Sequence, residues 1–190
     1  MKRPAAVDAR AVADLLHALY GFEATVLLNA GRDEIMDALN PHRSQLTADS
    51  QFLIYYAGHG FRDAAVEKSY RLPVDASPSR NRKWISSDDV IANLKGMDAN
   101  HVLIVSDSCS SGGPARTAAI DLSSPAAREA GLNAVETNRA RLVMTSGGDE
   151  PVADAGPGGH SAFAAALLDA LSRMKGKFTV QELFANYIQL

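Results

Sequence analysis

Four short apolar runs, each ending in turn residues, most strongly limit how this 190-residue chain can fold. Each run is rich in β-branched and aromatic residues, which is typical of buried strands. Stretches of helical period lie between them, so the chain alternates strands with helices. That alternation predicts an α/β domain with a mainly parallel sheet. The runs are FEATVLLN (22–29), QFLIYYA (51–57), HVLIVSD (101–107) and RLVMTS (141–146).

The helical stretches carry recognisable ends. SSDDVIANLKGM begins with Ser86 or Ser87 as its cap and ends at Gly96, and a final helix is predicted to begin at Thr179. The first helix, VDARAVADLLHALYG, is predicted to bury one apolar face against the sheet. The residues of that face are Val7, Ala11, Leu15, Leu16 and Leu19.

Composition excludes several classes of protein. Hydrophobic residues make up 46% of the chain and the net charge is −3, so nothing in the charge favours nucleic acid or an anionic membrane as partner. No apolar run reaches the ~20 residues of a membrane span, and the N-terminus lacks the apolar core of a signal peptide. The single cysteine, Cys109, excludes an internal disulfide and a Cys-based zinc site. A free thiol suits the cytoplasm best, although a secreted fragment is left open.

Two chemically active side chains follow two of the predicted strands. His59 lies just beyond FLIYYA, and Cys109 lies just beyond HVLIVSD, 50 residues later. If these parallel strands are neighbours, both side chains emerge at the carboxyl edge of the sheet, where function gathers in open α/β folds. An imidazole there can accept the thiol proton, and the amides of Gly60 and Cys109 could bind an oxyanion.

Each residue alone also has an ordinary structural interpretation. A lone cysteine after a buried strand is commonly an inert core thiol, and a histidine between glycines is commonly a solvated turn residue. The two matching strand ends together favour a catalytic pair.

Five segments resemble, in order, the caspase-like cysteine peptidases, and most closely the bacterial metacaspase-type proteins. The resemblance implies a caspase-like (caspase-hemoglobinase) three-layer αβα sandwich, with His59 as general base and Cys109 as the nucleophile that forms a thioester acyl-enzyme. The family's first strand has no counterpart, so the sheet is expected to lack it. The segments are FLIYYAGHG, YRLPVDA, ISSDDV, VLIVSDSCSSGG and RLVMTSGGDEPVADAGPGGHSAFAAALLDAL.

The resemblance also implies a division of the single domain 1–190. A large-subunit-like part (1–112) contains the His/Cys dyad, a linker loop follows (113–140), and a small-subunit-like part (141–190) ends the chain. If the enzyme cleaves after basic residues, the loop and its borders are a plausible place for self-cleavage. The basic residues there are Arg116, Arg128, Arg139 and Arg141.

An acid two residues before the cysteine, Asp107, resembles the metacaspase pocket for Arg or Lys before the scissile bond. A partly buried carboxylate pairs with a guanidinium and repels an acidic side chain. Asp8 matches the family's second pocket acid, and Ser146 could contribute backbone contacts to the same residue. Asp107 could instead be a strand-end turn acid, and Asp8 a helix-start acid favoured by the dipole. His160 is expected to be structural rather than a second base.

Asp88 and Asp89 match an acidic pair that binds calcium in some metacaspases. Adjacent carboxylates suit a hard cation, but helix capping explains them equally well. No other cofactor is expected. Two further functions are left open: a regulatory or scaffold domain without proteolytic activity, and a caspase-like peptidase with another substrate preference.

Overall fold

The computed structural model of the chain describes residues 4–108, 124–146, 156–174 and 176–185. Cys109, the predicted nucleophile, lies outside these ranges. Within the described residues, no helix combines the length and the apolar character needed to cross a membrane.

The central sheet has three parallel strands. Strand β1 (Gln51–Ala57) pairs with β5 (His101–Asp107), and β5 pairs with β6 (Ala140–Thr145). The β1–β5 register places Ala57 opposite Asp107, so both strands reach the carboxyl edge together. Three of the four predicted strands are therefore confirmed, and so is the mainly parallel α/β sheet.

A second, antiparallel sheet follows β1 directly. It consists of β2 (His59–Asp63), β3 (Lys68–Leu72) and β4 (Ile85–Ser86), in that order. Phe61, Tyr70 and Trp84 cluster with ring centroids 5.0–6.5 Å apart and stabilise it.

Helices surround the central sheet in two layers. The helices are α1 (Pro4–Tyr20), α2 (Arg32–Leu39), α3 (His42–Gln45), α4 (Ser87–Lys95), α5 (Pro125–Thr137), α6 (Ala162–Arg173) and α7 (Val180–Leu183). Strand β5 separates two hydrophobic cores because its side chains alternate between the faces. One core joins Val105 to side chains of α1, α6 and α7, and the other joins Val102 and Ile104 to α4. The order helix, sheet, helix is a three-layer sandwich.

The prediction of a strand at 22–29 is wrong. These residues run without any β-ladder, and Val26 is 40% exposed. A strand needs a neighbour for its backbone hydrogen bonds. Among the described residues, the two sheets consist of β1 to β6, and none of these strands pairs with 22–29.

The predicted face of α1 is also partly wrong. Val7 and Leu19 are exposed, whereas Val12 and Leu16 are buried together with the carboxylate of Asp8. The apolar pattern predicted the wrong face because the buried side of the helix includes an acid, Asp8, which a search for apolar residues leaves out.

Part of the predicted linker loop is helical. Helix α5 (Pro125–Thr137) lies inside the stretch 113–140, and the Ser124 hydroxyl accepts a hydrogen bond from the Ala127 amide at its start. The division of the chain into large and small parts stays a prediction.

Candidate active site

The backbone aligns the ends of β1 and β5 at the carboxyl edge. Ala57 pairs with Asp107, and the next amide, that of Gly58, donates to the Asp107 carbonyl at 3.2 Å. His59 and Cys109 therefore each lie two residues beyond one aligned pair. Cys109 is not among the described residues, so only the strand that leads to it is seen.

His59 is exposed and occupies the first position of β2, opposite Leu72. Its carbonyl accepts from the Tyr56 hydroxyl at 2.8 Å, and burial raises the pKa of Tyr56 to about 12. A Cβ on Gly58 would come within 2.8 Å of that hydroxyl, so the position before His59 has no room for a side chain beside Tyr56. Gly60 lies on β2 opposite Arg71, and its role as an oxyanion donor stays a prediction.

Asp107 is a buried carboxylate, 7% exposed, at the end of β5. Its Oδ2 accepts from the Ser161 hydroxyl at 2.5 Å and from the Tyr55 hydroxyl at 3.4 Å. Burial raises the pKa of Asp107, and the nearby charge of Asp8 raises it further, while these hydrogen bonds act in the opposite direction.

Asp8 is only 1% exposed and points from α1 toward the start of α6. Its Oδ1 lies 2.6 Å from Nδ1 of His160, and its Oδ2 accepts from the Ser161 amide at 3.2 Å. Because α1 begins at Pro4, Asp8 lies beyond the first turn, which argues against the helix-dipole interpretation.

Tyr55 shows that the two acids share one environment. Burial raises the pKa of Tyr55, and the negative charges of both Asp107 and Asp8 raise it further. Ser161 joins the same two acids directly, through its hydroxyl and its amide. The structure thus brings Asp8 and Asp107 together, although 99 positions separate them in the sequence.

Ser146 lies beside this pair, just beyond β6. Its amide donates to the Ser106 carbonyl at 3.0 Å. Its hydroxyl oxygen is buried and has no hydrogen-bond partner among the described residues. The hydroxyl is near enough to Asp107 to lower the pKa of that carboxyl.

Ser161, Tyr55 and His160 were not identified from the sequence as parts of the acid site. The one local signal was GGHSAF, in which Ser161 caps α6 and accepts from the Ala164 amide at 2.9 Å. Capping alone could not reveal that the same serine also contacts two distant carboxylates.

Asp88 and Asp89 lie away from the carboxyl edge, at the start of α4. Asp89 accepts from the Ser86 amide at 3.2 Å in a capping box, and Asp88 lies 2.8 Å from Nζ of Lys68. In the described part of the chain, no three His, Cys, Asp or Glu side chains are grouped closely enough to hold a metal ion. The calcium prediction remains untested.

Comparison with known proteins adds three findings. A family model described as a caspase domain matches residues 2–189. The fold is similar to the crystal structure of protein GSU0716 from Geobacter sulfurreducens, with a TM-score of 0.65 and 19% identity over 95% of this chain and 76% of that one. Curated proteins yield no match. The structural likeness confirms the predicted fold.

Proposed function

Because this chain belongs to the caspase-domain family of cysteine peptidases, we propose that it is an endopeptidase of the metacaspase kind that cleaves proteins after Arg or Lys. His59 and Cys109 form its dyad. The observation that carries the proposal is the register of β1 with β5, which gives both residues the same offset from one aligned pair, Ala57 and Asp107.

The chemistry needs a thiolate and an acceptor for its proton. His59 takes the proton of Cys109, and the sulfur attacks the carbonyl carbon before the scissile bond. The Gly60 and Cys109 amides bind the resulting oxyanion. As the carbon–nitrogen bond breaks, the leaving amine takes the proton from His59. Water, deprotonated by His59, then hydrolyses the thioester and restores the thiol.

The preference for Arg and Lys rests on the buried acids at the same edge. Asp107 is two residues before the nucleophile and 7% exposed, and Asp8 and Ser146 lie beside it. A guanidinium that enters this environment gains a charge-assisted hydrogen bond with little competition from water. An acidic side chain would meet repulsion instead.

Self-cleavage in the predicted linker loop or at its borders is the next part of the proposal. Arg128 binds Glu182 and donates to the Lys177 carbonyl at 2.9 Å. Arg139 and Arg141 donate to the Met97 carbonyl at 2.5 and 2.9 Å. These three side chains would have to leave their partners to reach an active site, and Arg116 lies outside the described residues. Incubation of wild type and Cys109→Ala, with the products located by mass spectrometry, tests this: we expect a cut after one of these four arginines in wild type alone, and an intact wild-type chain would refute it.

Calcium and the compartment stay proposals. Calcium would bind at Asp88 and Asp89 after displacing Lys68 from its ion pair. The cytoplasm is proposed because a reducing compartment keeps a catalytic thiol active.

Fluorogenic peptides with Arg, Lys or Asp before the cut test the proposed function. Wild type, Cys109→Ala and His59→Ala would be assayed with and without calcium. We expect turnover of the Arg and Lys peptides that disappears in both variants. Absence of Cys109-dependent turnover would favour the regulatory or scaffold alternative, and cleavage after Asp would refute the pocket assignment.

A further inference from the structure

We propose that a cavity between the start of α2 and the loop 73–84, which joins β3 to β4, binds a small anion that carries phosphate groups. The cavity has a volume of about 500 Å³. Sites for small ligands typically have about 300–1,000 Å³. The inference is independent of the proposed function, because none of the lining residues belongs to the proposed catalytic or substrate-binding set. The charged lining residues are Arg32, Arg80, Arg82 and Lys83, with Asp33 and Asp75.

Lys83 binds both acids of the cavity. Its Nζ lies 2.5 Å from Oδ2 of Asp33 and 3.4 Å from Oδ2 of Asp75. The hydrogen bond from Lys83 lowers the pKa of Asp33, and the same bond raises the pKa of Lys83, so both groups are charged at neutral pH. Asp75 also accepts from the Arg32 amide at 3.0 Å through Oδ1. Because both carboxylates already have partners, the cavity is poorly suited to a cation.

The charge of the lining as a whole is positive. Four cations and two acids give it a net charge of +2, although the whole chain carries −3. Nη1 of Arg32 lies 3.7 Å from Oδ1 of Asp33, and Nε of Arg32 is a buried donor without a hydrogen-bond partner among the described residues. Arg80 and Arg82 add two more guanidinium groups. Since a concave surface of one sign attracts ligands of the opposite sign, this cavity favours an anion.

The loop that carries Arg80 and Arg82 is held in place by its own hydrogen bonds. The Ser77 carbonyl accepts from Nε1 of Trp84 at 3.0 Å and from the Arg80 amide at 3.3 Å. Trp84 in turn packs in the aromatic cluster of the second sheet. Arg82 lies in a single 3-10 turn, Asn81–Lys83. Because this loop is already folded, a ligand that binds its two arginines has less conformational entropy to offset.

The other wall of the cavity, at the start of α2, is in direct contact with the same loop. The Val74 amide donates to the Ala30 carbonyl at 3.3 Å. A Cβ on Gly31 would lie 3.0 Å from Oδ2 of Asp75, so the carboxylate packs closely against the backbone just before the helix. The two walls are therefore joined by backbone and side-chain contacts, and cations from both walls can bind one ligand.

The types of cation and the size of the cavity favour phosphate groups over other anions. A guanidinium presents paired N–H donors whose geometry matches two oxygens of a phosphate. Three of the four cations are arginines, and they come from both walls. A single carboxylate would use only one of these guanidinium groups, whereas a ligand with two phosphate groups can bind cations from both walls. Pyrophosphate is therefore the simplest probe of the site.

Calorimetric titration of pyrophosphate into the Cys109→Ala protein, whose chain its own thiol cannot cut, tests the site. Ionic strength would be held constant, because salt screens exposed charges. We expect one pyrophosphate to bind per chain, and the melting temperature to rise with its concentration. Inorganic phosphate should bind at least about 10-fold more weakly because it has half the phosphate groups. Absence of saturable pyrophosphate binding, or equal affinity for the two anions, would overturn the proposal.

Substitution of the loop arginines locates the bound anion. We expect Arg80→Gln and Arg82→Gln each to raise the Kd for pyrophosphate at least about fivefold, because each variant loses charge-assisted hydrogen bonds. The control Arg10→Gln removes the same charge from an exposed position on α1 and should leave the Kd within about twofold. Equal losses in the three variants would mean that only net charge matters, and the site would be wrong.

Asp33→Asn should increase affinity, a result that partial unfolding cannot produce. The variant removes a negative charge from the cavity and keeps an oxygen that can accept the hydrogen bond of Lys83. We expect pyrophosphate to bind about threefold more tightly. Asp14→Asn, which removes an exposed acid from α1, should leave the Kd unchanged. If Asp33→Asn binds pyrophosphate no more tightly than Asp14→Asn does, the anion does not bind in this cavity.

Discussion

Two acidic pairs occupy very different surroundings in this molecule. Asp8 and Asp107, distant in sequence, are buried together at the carboxyl edge of the sheet. Asp88 and Asp89, adjacent in sequence, lie at the start of α4, where a capping box and the Lys68 ion pair account for both. Helix capping and a solvated ion pair are enough to explain the position of the second pair, whereas nothing local explains the burial of the first. A buried charge that capping does not explain is the stronger indication of function.

Asp8→Ala should have the largest effect on stability. It removes a buried carboxylate that binds both His160 and the Ser161 amide, which leaves an imidazole and an amide without partners. We expect a loss of about 3 kcal/mol in the free energy of unfolding. Urea denaturation measures it, with Asp14→Ala as the exposed control. A loss no greater than that of the control would mean that the contacts of Asp8 with His160 and Ser161 do not stabilise the fold.

Asp107→Asn should have the largest effect on activity that leaves the fold intact. The amide keeps an oxygen for the Ser161 hydroxyl but removes the charge that would meet a guanidinium. We expect kcat/KM for an arginine peptide to fall about 30-fold. Asp88→Asn, at the exposed pair, should leave it unchanged in the absence of calcium. Equal losses in the two variants would erase the functional difference between the pairs.

The stability of the protein should also depend on pH through Asp107. Burial raises the pKa of this carboxyl above its ordinary 3.8, so the folded state favours the protonated form. The contribution of Asp107 to stability is therefore present below pH 3.8 and is lost as pH rises through the raised pKa. Asp107→Asn should then melt higher than wild type at pH 7, and the difference should shrink toward pH 4. A difference that grows in acid would contradict the direction of the shift.

The exposed pair should show the smallest effects. Asp89→Ala removes half of the capping box and should cost about 1 kcal/mol of unfolding free energy. Asp88→Asn should leave the melting temperature unchanged because its ion pair with Lys68 is solvated. Thermal melts with and without calcium check both variants. If calcium strongly stabilises wild type and Asp88→Asn abolishes this effect, the exposed pair binds calcium. The functional contrast between the two pairs would then be wrong.

The sequence predicted what depends on local pattern. Short apolar runs that end in turn residues identified the three paired strands. The position of His59 just after one of them indicated that the site lies at the carboxyl edge of the sheet. The predicted strand at 22–29 failed because pairing is a tertiary property, and local composition does not supply a neighbour.

The acid site shows the same limit. Asp107 was identified because it lies beside the cysteine in sequence. The contacts of Asp8 with His160 and Ser161 span 152 and 153 positions, and an acid on the buried face of α1 contradicts the apolar pattern of that helix. Long-range contacts between polar side chains leave no periodic signal, so only the structure could reveal them.

Covalent labelling of Cys109 tests the central claim most directly. Wild type would be treated with an acyloxymethyl ketone that carries arginine at the recognition position, and the adduct would be located by mass spectrometry. We predict one adduct on Cys109, and it should form much faster than with a ketone that carries citrulline, the uncharged isostere of arginine. The rate of labelling should fall in His59→Ala. In Asp107→Asn the two ketones should react at similar rates. An unlabelled Cys109, or labelling at the same rate in wild type and His59→Ala, would contradict a Cys–His dyad at this edge of the sheet.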